Sequence, residues 1–220
     1  MEKSKIDQWE ERFIAWYGSQ ERLTDGSHDL GHFQRVWRMA REINCQEGAA
    51  ADELVLLASA YFHDLVALPK NHPERGDASR LSADQAVELL KERWSDFPAG
   101  KLEGVRHAIH AHSYSARVEP MTAEAKILQD ADRMEAVGAI GLARVFYTAG
   151  QLNGQLFDVH DPLAEGRKPD DKQYALDHFQ LKLLRLPALM NTSSGRRMAE
   201  ERVEYLREFL NRICMEILGG

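Results

Sequence analysis

His32, the doublet His63-Asp64 and Asp132 are imidazoles and carboxylates spread over three separate segments, the donor set that divalent metals of the Mn, Fe, Co and Ni type accept. The doublet carries the most information. Three adjacent His-Asp pairs occur among 220 residues, where composition alone predicts about 0.6. His28-Asp29 in TDGSHDLGH and His160-Asp161 in DVHDPLAEG stand among turn formers, where a solvated Asp is the ordinary occupant. His63-Asp64 instead ends the apolar run ELVLLASAYFHDL, and a carboxylate there is costly to bury without a partner. A metal ion is one such partner.

The elements that must position these residues read as helices. Ile6, Trp9, Phe13 and Trp16 mark an amphipathic helix that Gly18 can stop, and a second runs from about Leu30 to Asn44 with Leu30, Phe33, Trp37, Ala40 and Ile43 on one face. Residues 50–65 form a largely buried helix, after which PKNHPERGDASR breaks the pattern. Helix resumes over 80–95 and 100–112, then from a Thr122 cap through Ile127, Leu128, Met134, Val137, Ile140 and Leu142 to Tyr147. Residues 148–171 lose periodicity, which marks a functional lid or a disordered segment. Helices return over 172–186 and 197–217.

With β-alternation almost absent, the expected fold is an all-α, single-domain helical bundle over 1–220. Its core spans about 22–147, followed by the long loop 148–171 and additional C-terminal helices over 172–217. His32 starts one helix and His63-Asp64 ends the next. Short-linked helices run antiparallel, so a start and an end meet.

Composition removes other classes. A balance of 28 basic and 35 acidic residues argues against binding a nucleic-acid polymer. Leu54–Phe62, the longest largely apolar run, falls far short of the roughly 20 residues a membrane helix needs. With a charged N-terminus this predicts a cytoplasmic protein without membrane association. Cys45 and Cys214 are expected as small buried hydrophobes, and Trp9, Trp16, Trp37 and Trp94 as core anchors.

The words HDLGHFQRVWRMA, YFHDL and QDADRMEAVGAIGLARVF resemble the pattern of the HD-domain superfamily of metal-dependent phosphohydrolases. PKNHPERGDASR and DDKQYALDHFQLKLL extend the likeness to a subfamily of small bacterial YedJ-like and YpgQ-like members over most of the chain. The resemblance implies that His32, His63, Asp64 and Asp132 ligate one divalent ion (Mn, Co, Ni, Fe or Mg), a second ion not being favoured. It also implies that Asp64 orients the attacking water. Asp130, rotated by about 200° from Asp132 on the same helix, is expected to support the site rather than to ligate.

The implied activity is hydrolysis of a phosphoester or phosphoanhydride bond in a small phosphorylated substrate, with nucleotides the best guess. Two alternatives remain, a di-iron oxygenase on the same fold and a non-catalytic metal-stabilised binding or regulatory protein. Lys70, Asn71, His72 and Arg75, directly after the doublet, are candidate phosphate contacts, with Arg80 at the next helix start. Nucleotide-hydrolysing relatives carry an acidic residue three or four positions after the doublet. Here Ala67 and Leu68 stand instead, which leaves Lys70 or His72 as candidates for the general acid. Of His107, His110 and His112, either His107 or His112 is expected to contact substrate. His28, Arg35, Asp170, Asp171 and His178 are weaker candidates near the site or its mouth, and homodimer formation stays open.

Overall fold

The computed structural model describes residues 3–20, 29–66, 68 and 75–219. Among the described residues it is all-α, and no helix is long and apolar enough to cross a membrane. The chain divides into two compact units, Met1–Asp132 and Arg133–Gly220.

The first unit is built from α1 (Lys5–Gly18), α2 (Leu30–Gln46), α3 (Glu53–Phe62), α4 (Ala78–Arg93), α5 (Leu102–His112) and α6 (Ala123–Arg133, whose last residue passes the boundary). Each start that matters is fixed by a side chain. Ser4 and Asp7 form a capping box on α1. Asp29 caps α2 by accepting the His32 N–H at 2.8 Å, and Asp52 caps α3 through the N–H groups of Leu54 and Val55. The expected Thr122 cap is present, its Oγ1 accepting from Ala125 N at 3.2 Å.

α3 is buried at every position from Leu54 to Phe62, because an all-round apolar helix must be central. It ends at Phe62, three residues earlier than expected. α1 lays Trp9, Phe13 and Tyr17, spaced i, i+4, i+8, against an aromatic cluster with Tyr61, Phe62, Trp94 and Phe97. Trp9, Trp37 and Trp94 are buried as anticipated, while Trp16 is half-buried.

The continuous helix expected over 122–147 is two helices. α6 stops at Arg133, a 3₁₀ turn covers Met134–Ala136, and α7 (Gly138–Gln151) starts anew. Gly138 sits at φ +72°, where a side chain is strained, and a Cβ on Gly141 would collide with the Ala136 carbonyl. The apolar period runs through this break, so periodicity alone hides it. Similarly, helix over 172–186 shortens to α8 (Ala175–Leu181) followed by 3₁₀ structure around Pro187, and α9 (Ser193–Leu218) begins behind a Thr192 cap. Neither cysteine is buried: Cys45 is exposed and Cys214 partly so. Both fall on helix faces that no other element covers completely.

In the second unit Phe146, Phe179 and Phe209 pack together. The connection over 152–174 is ordered. Backbone bonds of 2.8 and 2.9 Å join Gln155 to Gln173 and Ala175. Arg167 makes a bidentate pair with the fully buried Asp177 at 2.6 and 2.7 Å, which also accepts from Asp170 N. Removing one partner of such a pair strands the other. Asp177→Ala is therefore expected to cost about 3 kcal/mol or more, measured by urea denaturation; a loss within about 0.5 kcal/mol would match an ordinary surface change and contradict this role.

Candidate metal centre

Four segments of the first unit converge. His32 occupies the first turn of α2, held there by the Asp29 cap. His63 is the C-cap of α3, Asp64 follows it, His112 ends α5 and Asp132 lies in the last turn of α6. Val66 N donates to Ser82 Oγ of α4 at 3.0 Å, tying down the backbone just past the doublet. Gln129 donates to the Ala111 carbonyl at 2.8 Å, which fastens α6 to α5 beside His112.

The Nε2 atoms of His32 and His63 lie 3.2 Å apart. Asp132 Oδ1 is 3.7 Å from the first and 3.8 Å from the second. Asp64 places Oδ2 3.5 Å from His63 Nε2 and Oδ1 3.5 Å from His112 Nε2. Among the described residues, two triads of donors lie close enough to hold a metal ion: His32, His63 and Asp132, and His63, Asp64 and His112. With metal–nitrogen bonds of about 2.0–2.1 Å, as for zinc, ligand angles of about 90–110° separate two nitrogens by about 2.8–3.4 Å, and the imidazole pair falls in that range.

Protonation supports this fit. A carbonyl can only accept, so the contact of His63 Nδ1 with the Ala60 carbonyl at 2.9 Å requires the proton on Nδ1 and leaves the Nε2 lone pair facing the cluster. His112 is oriented the same way by the Ile109 carbonyl at 2.6 Å. Burial pushes the His63 pKa down to about 4, against the opposing pull of Asp64, so the ring is neutral and a ready ligand at pH 7. At His112 burial acts downward too, but the hydrogen bond and charge of Asp64 outweigh it and raise the value.

Exposure divides the site. His32 and His63 side chains are fully buried, whereas those of Asp64 and Asp132 are 26% and 32% exposed. An ion seated among them would have a dry imidazole floor and a carboxylate rim open to water and ligand.

Of the remaining candidates, the described ones lie outside both triads. His107 accepts a hydrogen bond from Met121 N at 3.0 Å and belongs to neither triad. His112 joins the triad because, with Val105 and Ile109, it follows the buried i, i+4, i+7 face of α5, a signal present in the sequence but unused. Asp130 is fully buried and in neither triad. Lys70, Asn71, His72, Ala67 and His28 lie outside the described residues. Arg75 opens the 3₁₀ turn Arg75–Asp77, and Arg80 is engaged by Asp77 and Asp84. Asp171 pairs with His178 and Lys182 within the second unit. The structural roles of Asp29 as cap and of Tyr17 on α1 were not legible as parts of a site.

In metal-free protein, NMR titration of the imidazoles is expected to show His63 neutral until near pH 4 and His112 titrating above the ordinary value. By linkage, the depressed His63 adds stability that is full above about pH 6.5 and lost as pH falls toward 4, because the unfolded chain binds the extra proton over that window. The raised His112 acts oppositely, its contribution fading as pH rises through its folded value. A His63 midpoint near 6.5 would remove the reason for its neutral state.

Comparisons with known proteins place the chain among relatives. Residues 29–137 match the HD domain model. The uncharacterized protein YpgQ of Bacillus subtilis is 36% identical over 219 residues, covering 95% of this chain and 94% of its own. The crystal structure of Bacillus subtilis YpgQ in complex with ADP superposes with a TM-score of 0.71 at 31% identity, covering 96% of this chain and 95% of that one. An HD-superfamily hydrolase from Bacillus thuringiensis gives 0.72 at 29% identity, covering 96% and 98%. Helices, donor set and relatives converge: the chain belongs to the HD-domain superfamily of metal-dependent phosphohydrolases, in the group that contains YpgQ.

Proposed function

We propose that the protein hydrolyses a phosphoanhydride or phosphoester bond of a nucleotide, with one divalent ion held by His32, His63, Asp64 and Asp132. The observation that carries this reading is the buried imidazole pair, 3.2 Å apart, faced by two partly exposed carboxylates. Mn, Co, Ni, Fe and Mg are candidate ions, because mixed imidazole and carboxylate donors select a class rather than one metal.

Bound there, the ion supplies an acidified water and positive charge against the phosphoryl oxygens. The residues of the chain supply the rest. His63 Nδ1–H, fixed on Ala60, keeps its ring in the ligating tautomer. Asp64 stands at the open side with one oxygen toward His63 and the other toward His112, placed to accept a proton from the attacking water and share it with His112. Either residue can then return the proton to the leaving group. Lys70, Asn71, His72 and Arg75 are the candidate phosphate contacts, and Lys70 or His72 remains a candidate general acid.

A mononuclear site is favoured by the sharing of His63 between both triads. Its single Nε2 lone pair serves one ion, so filling both triads at once would deprive one of an imidazole. The nucleotide class is supported by the ADP held by Bacillus subtilis YpgQ. That protein matches nearly the whole chain.

Phosphate and pyrophosphate release from nucleoside mono-, di- and triphosphates, with Mn²⁺, Co²⁺, Ni²⁺ or Mg²⁺ restored separately to stripped protein, tests the proposal. Metal-dependent release is expected, and the product identifies the bond cleaved. His63→Ala and Asp64→Ala should each lower turnover by at least about 10³-fold, since both remove the ion or the water it orients. Undiminished turnover in metal-free Asp64→Ala protein would refute the mechanism.

A further inference from the structure

The last carbonyls of α3 have no helical donor, as at any helix C-terminus, yet the turn they form carries His63 and Asp64. Three different groups satisfy them. His63 Nδ1 takes the Ala60 carbonyl at 2.9 Å, Leu65 N takes that of Phe62 at 3.4 Å, and the Tyr17 hydroxyl takes that of Tyr61 at 2.7 Å. Tyr17 comes from α1, which precedes the residues 29–137 that match the HD domain. Its ring, 8% exposed, also lies 5.1 Å from that of Phe33, which meets the His63 ring edge-on at 5.5 Å. One side chain thus holds the backbone two residues before His63 and supports the ring that flanks it.

We infer that Tyr17 is a positioning residue for the metal centre: its hydroxyl sets the turn that presents His63 and Asp64, so a helix outside the HD core tunes affinity for the ion. This rests on the metal reading above. The Tyr61 hydroxyl provides an internal control. It also joins α1 to α3, donating to Glu10 at 2.9 Å, but through its side chain and not through the backbone of the turn.

Tyr17→Phe and Tyr61→Phe each delete one hydroxyl that reaches from α1 to α3; that of Tyr61, which Gln34 of α2 also meets, bonds side chains alone. Calorimetric titration with Mn²⁺ of folded protein is expected to show at least about fivefold weaker binding in Tyr17→Phe, the scale of one net hydrogen bond, and a change within about twofold in Tyr61→Phe. In the metal-free state, the His63 imidazole ¹⁵N resonances should move in Tyr17→Phe and stay in Tyr61→Phe, a readout that needs neither metal nor turnover. Equal Mn²⁺ affinities in the two variants, or unmoved His63 resonances in Tyr17→Phe, would overturn the inference and leave Tyr17 a packing residue. Failure of the wild-type protein to bind Mn²⁺ or any other divalent ion would instead refute the metal reading itself.

Discussion

The metal centre of the first unit depends on holding two imidazole nitrogens 3.2 Å apart in a dry interior. Left neutral, with the His63 proton locked on Nδ1, the pair can share at most one hydrogen bond. Charging it would place a cation where burial opposes charge, which is the main reason the His63 pKa falls to about 4. A divalent ion seated there would remove the conflict, because it would accept both lone pairs while Asp64 and Asp132 would balance its charge.

Scaffold and site are coupled through helix ends. Helix interiors satisfy their own backbone, so donors and acceptors free to hold functional groups occur where helices start and stop. Asp29 fixes the first turn of α2 and with it His32; the carbonyls of α3 fix the tautomer of His63; the end of α5 supplies His112 and the end of α6 supplies Asp132. The all-apolar α3 allows this, since burial on every side makes its C-terminus a point where three other ligand-bearing segments can arrive. The gradient from buried imidazoles to partly exposed carboxylates leaves the site open on its carboxylate side, where under the proposed function a phosphoryl group would enter.

Much of this was legible in the sequence because the signals were local or had no cheaper explanation. Asp64 at the end of an apolar run needs a partner, and the antiparallel pairing of α2 and α3 follows from a short connection. The all-α class followed from helical periodicity with almost no strand-like alternation. What escaped detection depends on tertiary geometry. The α6–α7 break lies within an unbroken apolar period and is dictated by a left-handed Gly138 and a close approach at Gly141. His107 and His112 are chemically equivalent in sequence, and only the buried face of α5 separates them. Tyr17 resembles any core aromatic until its hydroxyl is seen on the end of α3. The exposed Cys45 shows the reverse error, since a small apolar residue in a helical pattern need not face inward.

The most direct test of the metal centre is anomalous diffraction from crystals of the protein grown with Mn²⁺. The account predicts one peak bridging His32 Nε2 and His63 Nε2, within about 2.0–2.3 Å of each, with Asp64 and Asp132 oxygens completing the protein ligands. An imidazole pair still hydrogen-bonded to itself, with the ion bound elsewhere or not at all, would contradict it.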